Sequence, residues 1–209
     1  MEQMNEFQRL VEKYLNNHGI EHLQILSDTC ETSRNTEGNQ YLCHARVPVI
    51  DMDKIAQHAY RKIMMPESTA IHDSISSADA FLIRADREWY YIEYKDQRLS
   101  NTEYRKIIKK ALESILMLID ILYKVKKSGD LHSEFDYNDP IGFIRKKVNY
   151  IVVFNHEKDP YATNQVQNYK MKKSNYVPDF MRKLDAYWFK SAYVLTEEAF
   201  EHNFLASRR

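Results

Sequence analysis

Two stretches of the chain repeat apolar residues at helical spacing, and five others run apolar or aromatic at strand length. Phe7, Leu10, Val11, Tyr14 and Leu15 fall on one side of a helix predicted over residues 6–17, with Gly19 suited to its C-terminal cap. The longer helical stripe is Tyr104, Ile108, Ala111, Leu112, Ile115, Leu116, Ile119 and Leu122, which predicts a helix over 103–127 packed on a sheet. Residues 20–26, 79–85, 89–95 and 187–195 read as strands, and the near-continuous apolar run 148–154 reads as a buried central one. Asp51 or Asp53 caps a helix through residue 64, closed by Pro66, and residues 69–77 are the place for a short first core strand. The polar stretches 28–40, 129–140 and 155–175 read as loops, residues 180–184 as a short helix. Thr196 caps a last helix, with Glu197 and Glu198 at its positive end. The pattern predicts an α/β protein whose mixed β-sheet is flanked by helices.

The chemistry concentrates in residues 76–97, SSADAFLIRADREWYYIEYKDQ. Two strand-like runs flank the polar break Asp86-Arg87-Glu88, a spacing suited to a β-hairpin. With those three residues as the loop, Ala85 faces Trp89, Phe81 faces Glu93 and Asp79 faces Lys95. Side chains alternate along a strand, so Glu93 and Lys95 share a face, and cross-strand neighbours lie roughly 4.5–8 Å apart. Asp79, Glu93 and Lys95 therefore converge. A loop of even length would turn the set apart. Two close carboxylates repel unless a cation separates them. Carboxylate oxygens suit Mg²⁺ or Mn²⁺, and a neighbouring lysine can orient a water and offset charge developing on a phosphate.

Asp79 followed by Glu93-Tyr94-Lys95 resembles the motif of the PD-(D/E)xK nuclease superfamily, the restriction-endonuclease-like fold. The thirteen residues between Asp79 and Glu93 suit its hairpin, and the helix and strand that follow suit its core order over about residues 51–154. The resemblance implies Mg²⁺- or Mn²⁺-dependent cleavage of nucleic acid, with DNA the expected partner. Asp79 and Glu93 would be metal ligands, joined by the Tyr94 carbonyl, and Lys95 the base or electrostatic stabiliser. A glutamate from the first core helix completes many such sites, and Glu67 is the nearest candidate. Ala78 stands where the motif has proline, and the glutamine-and-tyrosine element of exonuclease members has no counterpart, which favours an endonuclease. Many such enzymes dimerise to cut two strands, which leaves a homodimer open. The alternative is a catalytically inactive member of the same fold that binds nucleic acid or protein. A hairpin of the wrong parity, or Lys95 turned to solvent, would favour it.

The 209 residues suit a single domain, 1–209, with the N- and C-terminal elements packed on the core. Net charge is zero, yet unevenly spread: through Glu93 there are 9 basic and 15 acidic residues, a balance of −6, and from Tyr94 onward 21 and 15, a balance of +6. Clusters around Lys106, Lys109-Lys110 and Lys172-Lys173 are candidates for phosphate contact. No apolar run is long enough for a membrane span and the start is polar and acidic, so a cytoplasmic protein is expected. Cys30 and Cys43 make no disulfide framework, and His44 beside Cys43 lacks the partners of a zinc site.

Overall fold

A computed structural model describes residues 2–20, 23–35, 39–60, 75–84, 87–126, 135 and 138–206. Its centre is a six-stranded mixed sheet in the spatial order β1-β4-β5-β6-β7-β8: β1 Leu26–Asp28, β4 Pro48–Asp51, β5 Ala80–Ile83, β6 Trp89–Lys95, β7 Val148–Phe154 and β8 Ser191–Thr196. A separate small hairpin pairs β2 Arg34–Asn35 with β3 Gln40–Tyr41. Strands β1, β4, β5 and β6 are successively antiparallel, whereas β7 runs parallel to both β6 and β8. The parallel step is crossed by the helix α4, Asn101–Lys126. Every residue of β7 is buried, as a strand covered on both faces and paired on both edges must be.

Helix α1, Glu2–Asn17, packs with α4 over one face of the hairpin, where Phe7 sits 5.1 Å from Phe81 and 5.5 Å from Trp89. Gly19 takes φ +73° to end α1. The other face is covered by the C-terminal helix α7, which starts at Glu197–Ala199 and continues as wide turns over Phe200–Leu205. There Tyr90 meets Phe204 and Tyr94 meets Phe200 edge-on. Thr196 caps α7 by accepting from Ala199 N. One continuous hydrophobic core runs from Phe7 to Leu205. No described helix is long and apolar enough to cross a membrane.

Several local expectations are revised. Strand β4 comes before the segment 69–77, of which residues 69–74 lie outside the described residues and 75–77 form no strand, and Asp51 caps the helix that follows β4, α3, Met52–Lys54, extended by wide turns over Ile55–Tyr60. The early strand falls at Leu26–Asp28, later than expected. The supposed loop 28–40 holds the short helix α2, Thr29–Thr32, and the small hairpin, with Thr29, Cys30 and Ser33 buried. Helix α5, Pro140–Lys147, was hidden by its short length and basic tail. Residues 155–175 contain a twelve-residue helix, α6, Pro160–Met171, with Asp159 capping it and proline at its first position. Only Ala162 and Val166 of α6 are buried, so no apolar stripe marks it in the sequence. The last strand is shorter than expected, and the residues before it form wide turns over Leu184–Trp188.

The buried stripe of α4 is also rotated. Ile107, Ala111, Ile115, Met117, Leu118, Ile121 and Leu122 are its buried apolar positions, whereas Leu116 is 61% exposed. The reason is polar: Glu103, Lys110 and Ser114 also face the sheet, and they break the apolar pattern on the buried side. Leu118→Ala is expected to cost about 2–5 kcal/mol as a core truncation and Leu116→Ala no more than about 0.5 kcal/mol. Urea unfolding of the two variants checks this, and equal losses would restore the unrotated stripe.

Candidate active site

The hairpin that carries the site is closed by Arg84 N donating to Glu88 O, which leaves three residues, 85–87, between the arms. Arg87 takes the left-handed conformation (φ 65°) that three-residue hairpin loops use. The loop has the expected length but starts one residue earlier. Ala80 pairs with Ile92 and Ile83 with Trp89, so the same register sets Asp79 opposite Glu93 instead of opposite Lys95. The slip is two residues along one strand relative to the other. An even slip preserves which face each side chain occupies, so the three residues still converge.

Helix α4 adds what the sequence did not show. Lys110 Nζ lies 2.8 Å from Asp79 Oδ1 and 3.0 Å from Glu93, between the two carboxylates. Lys95 Nζ lies 2.9 Å from Glu93 Oε1 and 3.3 Å from Glu103 Oε2, and Glu103 Oε1 accepts from Lys106 Nζ at 2.7 Å. Asp79, Lys110, Glu93, Lys95, Glu103 and Lys106 thus form a chain of alternating charge running from the hairpin to the first turns of α4. Glu93 is fully buried and Lys95 only 12% exposed, so Lys95 faces the acids and not solvent. Asp79 Oδ2 also accepts from Tyr94 N at 2.6 Å, which ties it to the neighbouring strand. Glu93 Oε1 is buried between the ammonium groups of Lys95 and Lys110, and Glu103 Oε2 is buried beside that of Lys95.

Burial first, and Asp79 second, push the Glu93 carboxyl up to about 7, against the pull of Lys110 and Lys95. Burial alone would lower Lys110, but Asp79 and Glu93 outweigh it and hold that ammonium far above its ordinary value. Lys95 likewise ends raised, burial being overcome by Glu93. For Glu103, burial is outweighed by Lys106 and Lys95, which leave it below the usual range.

A polar cleft of about 460 Å³ opens on this chain, lined by Asp79 and Lys95 with Arg34, Asp96 and Gln97 among others. Asp53 also lines it. Its carboxyl accepts from Ser77 Oγ at 2.8 Å and is pushed up by burial and then by Asp79. Asp53 entered the sequence reading only as a possible cap, and its role as a third acid on the cleft is visible only once α3 is placed. Glu67, the sequence candidate for that acid, lies outside the described residues. Of the basic candidates, Lys110 is drawn into the acid pair, and Lys106 and Lys109 stay more than half exposed beside Glu103 and Glu113. Lys172 and Lys173 follow the end of α6, about 18 Å along that helix from Asp159. The stripe Glu103, Ile107, Lys110, Ala111, Ser114, Leu118 was the available signal for Lys110: polar residues at helical spacing on what proves to be the buried face.

Among the described residues, no group of three or more His, Cys, Asp or Glu is arranged to hold a metal. Both cysteines are free and buried. The chain matches no protein-family model, no curated protein and no solved structure.

Two outcomes test the electrostatics. Removing one partner from a buried ion pair leaves the other charge uncompensated, so Lys110→Met is expected to cost about 3–5 kcal/mol. Adding Glu93→Gln to Lys110→Met should recover part of that loss in a double-mutant cycle, and additive losses would show the two uncoupled. Because the folded-state value of Glu93 is raised, the folded protein holds that proton more tightly than the unfolded chain. Its contribution is therefore favourable at low pH and is withdrawn as pH rises through about 5 to 7. Wild type should lose stability relative to Glu93→Gln between pH 5 and 8. The opposite trend in denaturant midpoints would show that the lysines stabilise the ionised form more than burial penalises it.

Proposed function

We propose that the protein hydrolyses phosphodiester bonds in nucleic acid with the help of a divalent cation. The observation that carries this is the meeting of Asp79, Glu93 and Lys95 on one sheet face at the edge of an open polar cleft, with Lys95 turned toward the acids. A surface hairpin with an incidental acid–lysine pair would leave Lys95 in solvent. The topology supports the same reading, since the antiparallel strands up to β6, the crossing helix and the parallel β7 follow the order the PD-(D/E)xK resemblance calls for, with Ile92 beside Ile151.

Mg²⁺ is ordinarily held through one or two carboxylates and several waters, so an acid pair suffices without a larger ligand cluster. Glu93 Oε1, buried and flanked by Lys95 and Lys110, and the ammonium seated between Glu93 and Asp79 mark a position that favours positive charge. Asp79 and Glu93 would hold the ion, which would supply an acidified water and polarise the phosphate. Asp53 offers a further carboxylate on the same cleft.

The remaining work falls to the chain's own groups. Lys95, flanked by Glu93 and Glu103, is held as an ammonium and serves as a donor that offsets negative charge developing on the phosphate, rather than as a base. Glu103 positions Lys95 from the first turn of α4, and Lys106 holds Glu103 in turn. Asp79, bound by Tyr94 N, keeps the acid pair in register across the hairpin.

The test is cleavage of plasmid DNA, single-stranded DNA and RNA in Mg²⁺, Mn²⁺ or EDTA. Wild type should cut in metal and not in EDTA, and Lys95→Ala should be about 10²–10⁴-fold slower. Full activity in Lys95→Ala would remove that lysine from the chemistry. A wild type inert on every substrate would reject hydrolysis and leave a binding module. Calorimetric titration with Mn²⁺ should show weaker binding by Asp79→Asn, and unchanged binding would remove that ligand.

A further inference from the structure

An aromatic groove of about 680 Å³ shares helix α4 with the candidate site and is unused by the chemistry above. It begins at Asn101 and Tyr104 in the first turn of α4, and Tyr104 follows Glu103, whose carboxylate contacts Lys95. Its other wall is α6, which presents Tyr161, Gln165 and Tyr169 at four-residue spacing, hence on one helix face. The two walls are fixed to each other: Asp159 caps α6 with one carboxylate oxygen and accepts from Leu99 N, in the β6–α4 connection, with the other. The groove therefore holds a set position relative to Lys95.

The rings are arranged for stacking. Tyr104 lies flat on Phe180, 3.9 Å between centroids at 12°. Tyr169 pairs with Tyr176 at 5.3 Å, and Tyr161 stands 66% exposed. The side chains of Asn101 and Gln165 place amide donors and acceptors among the rings. Cations stand beside the rings: Arg182 on the groove wall, and Lys172 Nζ 5.5 Å from the Tyr169 centroid. Among the described residues, the one carboxylate lining the groove, Asp179, pairs with Arg182 at 2.7 Å. Tyr161 to Tyr169 spans about 12 Å along the helix, room for about three stacked nucleotides.

We propose that this groove binds an unpaired nucleic-acid strand, its bases stacked on the tyrosines, and leads the strand to the cleft at Lys95. The proposal rests on the hydrolase reading for what becomes of the strand, but not for binding itself. Flat rings interleaved with amides and cations suit bases and phosphates, and stacking on aromatic side chains tolerates any base. A duplex keeps its bases paired inside the helix and cannot use such rings.

Fluorescence anisotropy in EDTA tests this with labelled 12-mers of oligo(dT) and oligo(rU) and a 12-base-pair DNA duplex, in low salt. Both single strands should bind wild type more tightly than the duplex does. Tyr161→Ala should weaken single-strand binding about five- to 150-fold, with little effect on thermal stability because the ring is exposed. Tyr161→Trp should restore it. The relative affinity of the two oligomers shows which sugar is preferred. Single-strand binding unchanged by Tyr161→Ala, tighter duplex binding, or no binding by wild type would each overturn the proposal. So would a dimer in sedimentation that Tyr161→Ala dissociates while nucleic-acid binding persists, since the groove would then be a contact between two copies. Cleavage without tyrosine-dependent binding would sink the groove and spare the hydrolase. Tyrosine-dependent binding without cleavage would do the reverse.

Discussion

A fully buried carboxylate, Glu93, sits in a central strand, and its neighbours are arranged around the problem of keeping it there. Removing a carboxylate from water is costly, and a second acid directly across the hairpin makes it worse. The chain answers with two ammonium groups, Lys110 from α4 and Lys95 from the same strand, and continues the alternation through Glu103 to Lys106. Replacing such a network by apolar residues would often stabilise a protein. A buried ionic chain opening on a polar cleft is thus where local stability and chemistry diverge, as they do at functional sites.

The fold places both the cleft and the groove at the carboxyl ends of β6 and β7. The β6–α4 connection carries Asp96 and Gln97 into the cleft and leads to Asn101 on the groove at the start of α4, and the turn after β7 carries Asp159 and leads to Tyr161 in the first turn of α6. Parallel strands joined by crossing helices leave their connections together at one end of the sheet, and crevices form there. The buried β7 serves as the fixed reference. It holds β6 in parallel on one side and β8 on the other, so the loops that follow cannot drift apart. The antiparallel half supplies Asp79 by a different route, through a tight hairpin whose odd loop keeps the acids on one face.

The amino-acid sequence by itself determined the mixed α/β class, α1, β6, β7, the length of the hairpin loop and the sharing of one face by Asp79, Glu93 and Lys95. These depend on local rules: two-residue alternation, helical periodicity, and an acid–x–lysine triplet at the end of an aromatic strand. Tertiary structure alone decided the pairing of Asp79 with Glu93, the rotation of α4 and the entry of Lys110 and Asp53 into the site. Register depends on where the chain reverses, and a one-residue shift of the loop moves the pairing by two without disturbing the hydrophobic alternation. The identity of a helix's buried face depends on what it packs against: Lys110 looks solvated in sequence and is drawn inward, half-buried, because two carboxylates await it. Helix α6 escaped notice for the same reason, since it buries only two side chains and its position is set by Asp159 bridging to a distant connection.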